Sequence, residues 1–351
     1  MKNIVSQIDQ HWADTKNEPG RPHLGASLIG TDCERALWYG FRWASKIHFD
    51  GRLLRLFDRG HSEEPRFIRD LKAIGITVYD RDPETGKQFN FSEHGGHFAG
   101  SSDGICLLDN VPTVLEFKTS ADKPFQDMVK KGVMVSKPLH YAQMQVYMAW
   151  HGYSQALYMM VNKNDDNIYE EIIQADPKAY NLLAQKAERV ISAQTPPTRI
   201  SASPSAFECK WCDHFGTCHD EKPAMVSCRT CISATPVTTG EGGWHCDHHN
   251  LAIPLDVQRT ACPDHRFIPP LLPFGENPKA EGREVTYQLI GSDREFTNGT
   301  RGQNSYDSLE LQELDASTVT DPGIEAMREK FDGRVTSRVM RVEFDPEEIP
   351  F

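Results

Sequence analysis

No apolar run in this chain of 351 residues approaches the length of a membrane span, and Met1–Trp12 lacks the apolar core of a signal peptide. The expectation is a chain that stays in the cytoplasm where it is made, with no membrane partner. Basic charge is short: 38 Lys and Arg stand against 50 Asp and Glu, a formal net charge of −12. That balance excludes a broad, unspecific polyanion-coating surface and leaves room only for a local basic channel. No G-x4-G-K-[ST] motif occurs, so the chain has no built-in nucleotide-driven motor. Internal repeats are absent as well. With 38% hydrophobic and 25% charged residues, the composition is that of a globular protein. Its length suits one large core with one or two small appendages.

The apolar pattern predicts an α/β core. Residues 1–26 read as a polar helix followed by a loop with Pro19-Gly20 and Pro22, and Ser27 reads as the N-cap of a helix through Cys33, Leu37, Trp38 and Phe41. A second helix starts near Leu53, carries a stripe of Leu56, Phe57, Phe67, Ile68 and Leu71, and stops at Gly75. Strands are expected at Ile76–Tyr79, Gln88–Phe91, Gly104–Leu108 and Thr113–Thr119, then helices at Pro124–Lys131 and Pro138–His151. A hairpin of Gln155–Asn162 with Ile168–Gln174 and a helix from Pro177 to Ala193 complete a core with a mixed central sheet. From Phe207 to His265 the chain is rich in Cys, His, Gly and Pro and too poor in periodic apolar residues to build its own core. The tail from Asn277 reads as acidic and loop-rich, with strands at Val285–Ile290 and Val335–Phe344.

Within that core, Gly100-Ser101-Ser102-Asp103-Gly104 leads into one apolar run, and a second run carries Glu116 and Lys118. Strand side chains alternate, so Glu116 and Lys118 share a face. A hairpin that joins two carboxylates and a lysine makes a site for a hard divalent cation. The bland alternative is a solvated Glu/Lys pair on a strand edge. Lys123, Lys130, Lys131 and Lys137 follow closely, either as a basic channel or as a solvated helix face. His61 and Glu64, three apart on the second helix, face one side and could meet the same metal. Gln143 and Tyr147, four apart, share a helix face too.

The pattern D-x(n)-E-x-K resembles the PD-(D/E)xK nuclease superfamily. Gly60/His61/Glu64 and Q-x-x-x-Y at Gln143/Tyr147 make it similar to the RecB-like branch. The resemblance implies a restriction-endonuclease-like core, a mixed sheet flanked by helices, and Mg2+ or Mn2+ as cofactor. Asp103 and Glu116 would hold the ion with His61 or Glu64 and the Phe117 carbonyl. Lys118 would position or deprotonate the attacking water, and Gln143 and Tyr147 would hold the substrate. It further implies a stand-alone, phage-type exonuclease acting on DNA ends or single strands in recombination, replication or repair, with an annealing or replication protein as a partner. The alternatives are a structure-specific or restriction-type endonuclease, or a zinc-module binding protein with an inactive nuclease-like domain.

Cysteine is plentiful, at nine, and in a reducing compartment clustered cysteines are more often metal ligands than disulfides. Cys209, Cys212 and Cys218, with Cys33 as the unassigned upstream partner, suit zinc or an iron–sulfur cluster equally by spacing. Resemblance to the AddB-type and CRISPR-associated RecB-like nucleases implies [4Fe-4S] there. The second set, Cys228, Cys231, Cys246 and Cys262, reads as a structural zinc site in which His249 or His265 could replace one ligand. Cys106 remains, as a buried strand thiol. The expected organisation is a nuclease domain at 1–222, a zinc module at 223–275 and an acidic extension at 276–351.

Overall fold

The structure, a computed structural model, describes residues 3–16, 20–220 and 222–336. It separates into two compact units, Met1–Asp213 with Thr235–Leu255, and His214–Ala234 with Asp256–Phe351. The division therefore runs through the 223–275 segment instead of around it. Both units mix helices with sheets, and the first holds a sheet with parallel and antiparallel pairs.

The first unit begins with α1 (Ile4–Lys16), β1 (Leu24–Gly25), α2 (Glu34–Phe41) and α3 (Gly51–Ala73). Ser27 caps no helix. Leu24 and Ala26 donate to the His97 and Ala99 carbonyls at 2.8 and 2.9 Å, which draws the segment into a strand beside the later β4. The chain then turns, and α2 starts only at Glu34, with Cys33 as its N-cap residue. Tertiary pairing has overridden the local cap signal. α3 is closed by Asp50, whose carboxylate accepts from the Leu53 amide.

Next come β2 (Thr77–Tyr79), β3 (Asn90–Glu93), β4 (Phe98–Ser101), β5 (Gly104–Leu108) and β6 (Val111–Ser120). The strand expected at Gln88–Phe91 lies two residues later, because its register is set by β4, a partner the sequence reading lacks. The helices α4 (Asp122–Lys131), α5 (Val133–Ser136) and α6 (Pro138–His151) cross over to β7 (Gln155–Asn162), and β8 (Ile168–Gln174) and α7 (Pro177–Ser192) follow. The central sheet has the order β2-β5-β6-β7-β8. Its β6/β7 pair is parallel and the others are antiparallel. A crossover of this length is what a parallel pair demands.

Alternation splits the strand residues between two faces. Leu115, Phe117, Leu157, Met159 and Val161 join Phe67 and Leu71 of α3 in one apolar cluster. Phe67 and Phe117 stack at 5.0 Å. Glu116, Lys118 and Tyr158 therefore project from the opposite face. After α8 (Phe207–Lys210), the strands β9 (Ala234–Pro236), β10 (Trp244–Cys246) and β11 (Leu251–Ile253) form a small sheet. It is tied to the rest of the unit by Trp244, 5.4 Å from Phe41, and by His97 Nε2, 3.1 and 3.0 Å from the Val237 and Gly243 carbonyls.

The second unit contains α9 (Phe215–His219), most of α10 (Leu255–Gln258), a sheet of β12 (Gly275–Glu281), β13 (Glu284–Leu289), β14 (Glu295–Asn298) and β15 (Ser305–Tyr306), and then α11 (Ser308–Glu313) and α12 (Pro322–Phe331). The loop-rich tail is thus a correction: it folds into a four-stranded sheet with two helices. Val285, Tyr287, Leu289 and Phe296 are buried in it. Arg328 crosses from α12 to the buried Glu310 at 3.1 Å. Of the strand expected at Val335–Phe344, all but the first two residues lie outside the described residues.

Candidate active site

The hairpin β5–β6 builds the site from its turn upward. Gly104 has φ +154°, and a Cβ there would stand 2.8 Å from the Tyr79 carbonyl oxygen, so the residue after Asp103 has to be glycine. This close passage aims Asp103 back across the hairpin, where its Oδ2 accepts from the Phe117 amide at 2.7 Å. Asp103 is thereby fixed beside Glu116.

Glu116 is 0% exposed. One of its oxygens, Oε1, accepts from the Lys118 ammonium, two residues along the same strand face. The other, Oε2, is sealed from solvent and has no hydrogen-bond partner among the described residues. A buried carboxylate oxygen without a donor costs free energy unless a proton or a cation answers it. Burial, with the Asp103 and Glu64 charges adding to it, pushes the Glu116 carboxyl up to about 8, against the opposing pull of Lys118. Burial also raises Asp103, although Lys118 and the Phe117 amide work the other way.

Glu64, half-buried on α3, is raised by burial and by the Asp103 charge, and His61 and Lys118 act to lower it. His61 is exposed. Burial works against the charge on Lys118, yet Glu116 and Asp103 outweigh it and hold the ammonium above its ordinary range. The expected residues His61, Glu64, Asp103, Glu116 and Lys118 thus fall within one another's fields. Carboxylates outnumber ammonium groups there, and each carboxyl is held reluctant to ionise. That donor set, hard carboxyl oxygens one of which is buried without a partner among the described residues, has the chemistry that suits a divalent cation of the Mg2+ type.

Gln143 and Tyr147 are both buried on α6, and the Gln143 amide donates to the Tyr147 hydroxyl at 3.2 Å. Burial raises the Tyr147 phenol, helped by the charges of Glu116 and Asp103. Two residues that the motif reading passed over stand in the same place. Tyr158 lies directly opposite Glu116 in the β6/β7 register, and its hydroxyl is 2.8 Å from His140 Nδ1. The usable signal was the helical spacing of His140, Gln143 and Tyr147, which puts all three on one side of α6.

The cysteines are spread over both units. Cys33 is half-buried at the start of α2, Cys209 is buried in α8, and Cys212 follows in a turn closed by its amide on the Cys209 carbonyl at 3.1 Å. In the same unit the His249 amide donates to Cys246 Sγ at 3.4 Å. Cys218, Cys228, Cys231 and Cys262 belong to the second unit. There the buried His265 places Nε2 3.2 Å from Thr230 Oγ1, and burial pushes its imidazole down to about 3. Burial raises the Cys106 thiol to about 11, which suits an inert strand residue.

No family model matches the sequence, and no curated protein does. Among solved structures the chain has a likeness to SSO0001, with 17% identity and a TM-score of 0.36 over 60% of this chain and 94% of that one. An alkaline exonuclease from Laribacter hongkongensis gives 18% and 0.35 over 52% and 90%. A phage related exonuclease from Haemophilus somnus 129PT gives 16% and 0.28 over 38% and 68%. At such values the functional reading rests on the chain's own side chains.

Proposed function

We propose that this protein is a Mg2+- or Mn2+-dependent deoxyribonuclease with a PD-(D/E)xK, RecB-like core, acting as an exonuclease on DNA ends. The observation that carries the reading is the sealed, unpartnered Glu116 oxygen between Asp103 and Lys118. Asp103 and Glu116, with Glu64 or His61 and the Phe117 carbonyl, would hold the ion. When bound, it would supply Lewis-acid polarisation of a phosphoryl oxygen and offset the charge of the carboxylates. In the metal-free protein Glu116 and Asp103 hold the Lys118 ammonium above its usual range against the effect of burial. Its share is to place the attacking water and to steady negative charge developing on the phosphate. Gln143 and Tyr147 line the helix side of the site and orient the strand.

The test gives the full-length protein 5′- and 3′-labelled linear DNA and a covalently closed circle, with Mg2+ or Mn2+. Label should be released from linear DNA only, and Glu116→Ala and Lys118→Ala should each lower the rate by about 100-fold or more. Cutting of the circle would point to an endonuclease instead. No metal-dependent hydrolysis of any DNA would overturn the enzyme reading.

A further inference from the structure

His140 lies outside the motif yet sits at its centre. It shares the α6 face with Gln143 and Tyr147, and its Nδ1 is 2.8 Å from the hydroxyl of Tyr158. Tyr158 is fully buried and paired in register with Glu116, so the imidazole is clamped to the strand next to the carboxylate. The direction of that bond can be assigned. A phenol, with an ordinary pKa of about 10, keeps its proton near neutral pH. Burial, then Lys118 and Lys137, push His140 down to about 3, so the ring is neutral. The phenol has one proton and two neighbours to give it to, and Nδ1 at 2.8 Å is a far stronger acceptor than the Met160 Sδ at 4.0 Å, so the phenol donates, Nδ1 accepts, and the single ring proton sits on Nε2. Among the described residues Nε2 has no hydrogen bond, and it is not among the polar atoms sealed from solvent. A fixed N–H beside an ammonium presents donors only, which selects an anion with several acceptor oxygens.

We propose that His140 donates from Nε2 to a phosphodiester oxygen of the DNA strand beside Lys118, with Tyr158 as the residue that positions its ring. This rests on the nuclease reading above and adds a substrate contact to it. A Gln side chain can place its amide N–H close to where Nε2 stands, whereas the shorter Asn mimics only Nδ1. DNA binding is measured by fluorescence anisotropy in the Glu116→Gln background with EDTA, so that nothing is cut. His140→Ala and His140→Asn should weaken binding about tenfold, the size of one hydrogen bond to a charged acceptor. His140→Gln should stay within about threefold of the parent, and Tyr158→Phe should show a smaller loss than His140→Ala. Should His140→Ala not fold, the Asn and Gln variants decide the matter between them. Equal binding by parent and His140→Ala, or equal loss in the Asn and Gln variants, would overturn the contact while leaving the nuclease reading intact. A parent that binds no DNA would sink both.

Discussion

At the scale of single residues, Glu116 governs how the metal-free protein responds to pH. Its carboxyl ionises at the ordinary 4.5 in the unfolded chain and at about 8 in the folded one. Between those values the folded state holds a proton that the unfolded state has lost. The stability this confers is full below about 4.5 and is lost as pH rises through about 8. In EDTA, the melting temperature should therefore fall across that range, and Glu116→Gln should flatten the fall. Added Mg2+ should raise the melting temperature of the parent near pH 8 and leave Glu116→Gln unmoved; equal shifts in both would place the ion elsewhere. Asp103, Glu116 and Lys118 were legible in the sequence because strand alternation and a glycine turn fix their relation locally. The bond between His140 and Tyr158 was not, since it closes over a crossover and depends on which strand lies next to β6.

Between elements, β4 packs closely against α6 at the site. A Cβ on Gly100 would stand 2.9 Å from the Ala26 Cβ and 3.0 Å from both Cε1 and the hydroxyl of Tyr147. Gly100→Val should cost about 1–3 kcal/mol in urea unfolding, the usual range for overpacking. It should also lower nuclease activity by moving the phenol, and an active, equally stable Gly100→Val protein would contradict this packing. The long periodic elements α3, α6, α7 and the strands β5 to β8 were readable from sequence. β4 is short and was missed, and of the second unit's sheet only β13 was expected, as the strand at Val285–Ile290. β12 shows why: it is exposed nearly throughout, contains Pro278 and shifts register between Glu276 and Lys279. A strand that buries no face leaves no period to read, and a proline at an irregular edge strand looks like a loop.

Over the whole molecule, the clustered cysteines make a claim that spacing supports and composition analysis can check. Anaerobically purified protein should be brown, with iron and sulfide in near-equal amounts from the Cys33, Cys209, Cys212 and Cys218 set, and with zinc from the second set. Colourless protein with zinc at both sets and no iron would refute the cluster. Spacing proposes the eight residues as ligands and leaves the metal open, because a thiolate quartet serves zinc and iron–sulfur alike. The charge of −12 is also a property of the whole chain, and on the proposed reading it would leave attraction for DNA to local groups such as Lys118 and its neighbours.

The parallel pairing of β6 with β7 also has a consequence in time. A chain leaving the ribosome exposes Asp103, Glu116 and Lys118 well before residues 155–162, whose strand lies against Glu116 in the folded protein. On the proposed nuclease reading, cutting competence waits for β7 to dock, and a half-made polypeptide that carries the full motif would spare the nucleic acids around it.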